Sequence, residues 1–302
     1  MTLAPDTTPG LLAGTLDLPG GPLDLSQHIA VMAIVNRTPD SFYDRGATFA
    51  LDAAVAAGVA AVEAGAEIVD VGGVKFAPGP PVPVEEEIAR VVPVVRELAP
   101  IARVSVDTFH PEVARAAIEA GAAIINDTTG LHDPAMADVI ARGGAGVVIA
   151  HSLAAPRTPH PLPRYGDVVG DVAAFLAARR DLALSHGVPG DRIVLDPGHD
   201  LNKSTRQTLE LTRRLGELSV LGAPLLVALS NKDFVGETLD RARGDRLSGS
   251  LAAAVFCVLQ GARIVRAHNV GETVDAMRMV EAMLGWRDPA YELHNARAEG
   301  NE

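Results

Sequence analysis

The 302-residue chain has a single cysteine, Cys257, so it has no intramolecular disulfide, no cysteine zinc cluster and no sign of a secreted, disulfide-stapled framework. It is short of positive charge. With 26 Lys and Arg against 38 Asp and Glu its net charge is −12, which argues against a nucleic-acid or anionic-membrane surface and leaves room for a local basic pocket. No uninterrupted apolar run approaches the roughly 18 residues of a membrane span. The first Lys or Arg is Arg37, so the start of the chain lacks the charged region of a signal peptide. Internal repeats are absent, and the only compositional bias is alanine-rich stretches. What is present is apolar content, 48% against 21% charged residues, enough for a full core and too much for disorder. The expectation is a soluble, cytoplasmic protein that touches neither nucleic acid nor membrane.

Eight short apolar runs, rich in Val and Ile, punctuate the chain: 29–36, 67–73, 103–108, 123–128, 146–152, 193–198, 224–230 and 263–269. Each is apolar on both alternations, as strands buried on both faces are. Between most of them lie stretches with helical spacing, at 51–64, 84–98, 111–120, 134–142, 168–186, 204–218, 248–259 and 273–284. Strand alternating with helix requires parallel pairing and right-handed crossovers. Eight such units fit a closed (β/α)8 barrel of the TIM type, class α/β, better than an open sheet. The expected organisation is an N-terminal arm or hairpin over 1–28, a barrel over 29–287 and a tail over 288–302. The proline-rich stretch 154–164 must be a loop.

Nearly every apolar run ends in polar or ionisable residues: Asn36, Asp70, Asp107, Asn126 with Asp127, His151, Asp196, Ser230, and Arg266 with His268. In a barrel these ends share one rim, the rim at which such folds carry their sites. Any one of them could merely cap a strand, but repetition on eight strands favours a pocket. Arg266 and His268 are two apart, so on a strand they share a face and one anion. Cys257, in an apolar helical stretch, reads as a packed thiol.

The motifs at these ends resemble dihydropteroate synthase from about Ala30 to Leu284. They are MAIVNRTPDSF (32–42), DVGG with a later Pro-Gly (70–79), SVDT (105–108), IND (125–127), His151, YGDVV (165–169), LDPG with a later Lys (195–203), SNK with Phe-x-Gly (230–236), and GSLAA leading to RIVRAHNV (249–270). Members of that family join a dihydropterin methyl pyrophosphate to p-aminobenzoate, losing pyrophosphate before the amine attacks. The resemblance implies that Asp107, Asn126, Asp196 and Lys232 bind the pterin. It implies that Asn36, Arg266 and His268 hold the pyrophosphate, with Asn36 on its Mg2+, and that Lys232, Arg266 and His268 form the catalytic set. The residue types suit the task. Carboxylates and an amide accept from a 2-amino-4-oxo edge, an ammonium answers its acceptors, and one amide suffices for a Mg2+ that substrate phosphates also ligate. A homodimer is implied as well.

The p-aminobenzoate half departs from the family pattern. Where the family has Glu-Ser-Thr-Arg in the second loop, this chain has Val74, Lys75, Phe76 and Ala77, and Asn231 replaces an arginine of the seventh loop. The sixth loop lacks its usual glycine-phenylalanine stretch, and His-Ser-Leu follows the fifth strand in place of His-Met-Arg. The chain thus resembles a divergent second copy of the enzyme, one that condenses p-aminobenzoate poorly. The alternatives are a non-catalytic or regulatory pterin-binding protein and a transferase with another acceptor. A methyltetrahydrofolate-dependent methyl-transfer domain shares the barrel but has no use for an Arg-x-His anion pair.

Overall fold

The computed structural model describes residues 14–37, 50–74, 78–154, 157–158 and 164–294. Residues 1–13, all of 38–49, Lys75, Phe76 and Ala77, and part of the proline-rich loop therefore lie outside the described residues. Eight parallel strands close a barrel: β3 (Ala30–Asn36), β4 (Ile68–Gly72), β5 (Arg103–Asp107), β6 (Ile124–Asp127), β7 (Gly146–Ala150), β8 (Ile193–Asp196), β9 (Leu225–Ala228) and β10 (Ala262–Ala267). β10 closes on β3, and each other strand pairs with the next in sequence. The outer ring is α1 (Leu51–Glu63), α2 (Val84–Leu98), α3 (Pro111–Glu119), α4 (Ala135–Gly143), α5 (Val168–Ser185), α6 (Thr205–Arg213), α7 (Asp233–Leu239), α8 (Leu247–Leu259) and α9 (Val270–Met283).

Strand alternation divides the core in two. Outward residues such as Val69, Val71, Val104, Val106, Val147, Ile149 and Val265 pack against the helices in the larger apolar cluster. Inward residues Met32, Ile68, Ile124, Val148, Val194, Leu226 and Ile264 fill the lower barrel. A small antiparallel hairpin, β1 (Thr15–Leu16) with β2 (Leu23–Asp24), brings Leu16, Leu18, Leu23 and Leu25 into that inner cluster, so the N-terminal segment forms a hairpin that plugs the barrel floor. Gly146 makes this contact possible: a Cβ there would lie 2.5 Å from Leu18 Cδ2.

Two local differences from the sequence reading have simple causes. The helix expected over 204–218 stops at Arg213, and Leu215–Leu221 tightens into a 3-10 helix, because Gly216 favours the α-helical continuation poorly. The short helix α7 was not anticipated, since seven residues containing Gly236 are too few to show a period. Cys257 is fully buried, and burial pushes its thiol up to about 12. No helix among the described residues is long and apolar enough to cross a membrane.

Candidate functional site

The same alternation that sends Ile68, Ile124, Val194 and Ile264 into the lower barrel places the residues two further along above them. Those are Asp70, Asn126, Asp196 and Arg266. The interior is thus apolar below and polar above. The register refines this picture: Asn36 pairs with Gly72, Gly72 with Asp107, and Asp107 with Asn126, so these four occupy one level of the rim.

Arg266 sits at the centre. Its Nε donates to Asp70 Oδ2 at 2.7 Å and its Nη2 to Asp107 Oδ2 at 3.2 Å. Asn126 Nδ2 donates to the same Asp70 oxygen at 3.1 Å. Asp70 is fully buried, and its other oxygen has no partner among the described residues. The guanidinium that the sequence assigns to an anion is therefore already committed to two carboxylates, while its Nη1 has no partner among the described residues. Burial opposes its charge, but Asp70 and Asp107 outweigh that and raise its pKa. Burial pushes Asp107 up to about 7 even with Arg266 beside it, helped by the charges of Asp70, Glu87 and Asp127. His268 shares the inward face with Arg266, and its Nδ1 lies 3.1 Å from Ser230 Oγ.

Asp196 ends β8. Its Oδ1 accepts from Gly198 N at 2.7 Å, and burial raises its pKa against the pull of that bond and of Lys232, Arg266 and Lys203. Lys232 is the residue just before α7 on the neighbouring loop, and its positive charge acts on Asp196 and Asp200. Asp200 reaches across from the loop after β8 and accepts from Phe234 N at 3.1 Å, tying the two loops together. Asn231 lies beside Lys232 at φ 58°. Its N–H donates to Ser250 Oγ at 3.1 Å and its carbonyl accepts from Arg246 Nη1 at 3.0 Å. Arg246 is anchored beneath this loop: its Nε donates to the Arg241 carbonyl and its Nη1 to the carbonyls of Asn231 and Lys232 and to Asp233.

The structure thus brings Asn36, Asp107, Asn126, Asp196, Lys232, Arg266 and His268 to one barrel mouth. Asp127 and His151, also strand-end residues, do not join them. Asp127 is one residue out of phase and turns its own loop, accepting from Thr129 N, Thr129 Oγ1 and Leu131 N. His151 contacts Lys203 instead. Sequence reasoning missed the central place of Asp70, for which the two-residue step from Ile68 was the available signal. It also missed Glu87 at the start of α2. Glu87 is fully buried, neither oxygen has a well-formed hydrogen bond among the described residues, and burial lifts its pKa to about 7 despite the nearby Thr108 and Arg90.

Among the described residues no group of three or more His, Cys, Asp or Glu is placed to hold a metal ion. Asn36 is compatible with a Mg2+ that draws its remaining ligands from phosphate and water. Its Oδ1 lies beside Gly72, where a Cβ would come within 3.1 Å of it.

Residues 32–268 match the family of pterin binding enzymes. The chain is 48% identical over 267 residues to a Mycobacterium leprae protein named inactive dihydropteroate synthase 2, spanning 86% of this chain and 92% of that one. It is 42% identical over 272 residues to the dihydropteroate synthase of Escherichia coli, spanning 89% of this chain and 96% of that one. Xanthomonas albilineans dihydropteroate synthase, solved with 4-aminobenzoic acid, superposes with a TM-score of 0.82 at 41% identity over 90% of this chain and 98% of its own.

Proposed function

Because the chain belongs to the pterin-binding enzyme family, we propose that it is a dihydropteroate synthase-like transferase that holds a dihydropterin methyl pyrophosphate in the barrel mouth and condenses it poorly with p-aminobenzoate. The observation that carries this reading is the convergence of Asp107, Asn126 and Asp196 with the ammonium of Lys232 beside one guanidinium. Three acceptors and a cation from separate strands match the mixed edge of a pteridine. Burial that raises the pKa values of Asp107 and Asp196 makes each bond they accept stronger than it would be in water.

In this reading Arg266 stays anchored through Nε and Nη2 and offers Nη1 to the pyrophosphate, with His268 on the same face. Asn36 would hold a Mg2+ that neutralises the leaving group. The bond between the pterin methylene carbon and the pyrophosphate oxygen breaks, and the aniline nitrogen bonds to that carbon and sheds a proton. No protein nucleophile is needed, so the protein's contribution is positioning and anion stabilisation. Low turnover follows from Phe76, Ala77 and Asn231 standing where the family has a threonine and two arginines. A pterin-binding protein without turnover is the second reading, favoured by that same loss. The homodimer belongs to the proposal too, supported by the exposed Phe256 and Leu259 of α8 and Met279 and Met283 of α9.

Calorimetry with 6-hydroxymethylpterin tests the site. Wild type binds, and Asp196→Ala loses about 2–3 kcal/mol of that affinity, the cost of removing a charged acceptor from a desolvated pocket. Unchanged affinity in the variant would refute the assignment.

A further inference from the structure

Lys203 is one of three lysines in the chain, and it is 7% exposed. Its Nζ lies 2.9 Å from His151 Nδ1, 2.8 Å from the Gly198 carbonyl and 3.1 Å from the Leu201 carbonyl. An ammonium has three protons to donate, and here three acceptors surround it. A neutral amine would have one donor too few. Burial lowers the Lys203 pKa to about 7; Asp196 and Asp200 face it and favour its charge, and Lys232 opposes it. Burial keeps His151 neutral, its pKa down to about 3, so Nδ1 is free to accept and Nε2 carries the proton. The imidazole is held edge-on to Phe175, with ring centroids 4.8 Å apart.

What this ammonium fastens is the loop that carries the site. Gly198, Asp200 and Asn202 all have positive φ, at 68°, 64° and 53°, a conformation that asparagine and aspartate tolerate but that still has to be held. The Gly198 peptide is the link: its carbonyl accepts from Lys203, and its N–H donates to Asp196 Oδ1. A Cβ at Gly198 would lie 2.1 Å from the His151 carbonyl, so the loop is pressed against the end of β7. From the same loop, Asn202 Oδ1 accepts from Ser152 Oγ, Leu153 N and Ala154 N, and Asp200 accepts from Phe234 N. An apolar side chain would fill this volume without burying a charge, so stability alone gives little reason for a lysine here.

We propose that Lys203, with His151, is a positioning residue for pterin recognition: its ammonium clasps the loop after β8 so that the Gly198 peptide aims the Asp196 carboxylate into the barrel mouth. The inference rests on the pterin reading of the site. It is tested by calorimetry on Lys203→Met, Asp196→Asn and the double variant, with 6-hydroxymethylpterin as one probe and inorganic pyrophosphate as the other. Lys203→Met weakens the pterin at least tenfold and leaves pyrophosphate within twofold. The double variant is no weaker for the pterin than Asp196→Asn alone, because Lys203 acts through that carboxylate. A residue that only supports the fold would give losses that multiply. Should Lys203→Met not fold, His151→Phe keeps a ring against Phe175, removes the Nδ1 acceptor and must show the same coupling with a loss of at least threefold. Pterin affinity within twofold of wild type, or multiplying losses, overturns the clasp. A wild type that binds no pterin overturns the reading of the site and the clasp with it.

Discussion

Replacing Arg266 by methionine leaves two carboxylates without their counter-charge. Asp70 is wholly buried and keeps only the Asn126 amide as a donor, and Asp107 keeps no charged partner. Breaking a buried pair in this way costs about 3–5 kcal/mol. The cost depends on pH with a definite sign. Asp107 has a folded pKa near 7, raised from 3.8, so at pH 5 it already carries a proton and has no charge to strand. At pH 8 it is ionised. Urea unfolding therefore shows Arg266→Met destabilised by the full amount at pH 8 and by markedly less at pH 5. Adding Asp70→Asn to the variant recovers at least about 2 kcal/mol at pH 8, because a neutral amide replaces the stranded charge. Pterin affinity falls along with pyrophosphate affinity, since Arg266 both faces the anion and holds Asp107, a pterin acceptor. A loss below about 1 kcal/mol at pH 8, the same loss at both pH values, or no recovery in the double variant would refute the argument.

Glu87 has a folded pKa near 7 against 4.5 for an ordinary glutamate. The folded state therefore holds an extra proton between these values, and stability is lost as pH rises through that window. Glu87→Gln is then more stable than wild type at pH 8 by about 2–3 kcal/mol, a gain that vanishes near pH 5; a gain independent of pH in denaturation curves counts against this. Gly146→Ala drives a methyl group into Leu18 and lowers stability by about 1–3 kcal/mol, read as a shifted denaturation midpoint, and an unchanged midpoint would show that the hairpin yields. Met279→Lys with Met283→Lys converts the proposed dimer to a monomer in light scattering; an unchanged mass counts against α8 and α9 as the contact.

The fold was legible because eight buried strands alternate with helices, and the site because its residues end those strands. Asp107, Asn126, Asp196 and Arg266 could be located from motif and strand end alone. The state of Arg266 could not, since its partners lie 196 and 159 positions away in sequence and only barrel closure brings them together. Asp70 was hidden inside an apolar run, where an acid reads as a strand-end residue until the inward phase is known. The contact of Lys203 with His151 spans 52 positions and links two motifs that sequence treats separately. The positive φ of Asn231 is likewise a property of the loop's packing, and no motif announces it.

The central claim is that the chain keeps its pterin and has lost much of its acceptor chemistry. The measurement that tests it most directly is steady-state pyrophosphate release from dihydropterin methyl pyrophosphate and p-aminobenzoate, on wild type and on Phe76→Thr/Ala77→Arg/Asn231→Arg. Two missing charge-assisted bonds at about 1.5–3 kcal/mol each predict a wild-type rate about 10²–10⁴-fold below that of the Escherichia coli enzyme. The triple variant regains at least tenfold at unchanged pterin affinity, even though arginine at position 231 must accept a φ of 58°, at a cost of roughly 1 kcal/mol. A wild-type rate equal to the Escherichia coli enzyme's, or a triple variant that binds pterin and gains nothing, would contradict the account.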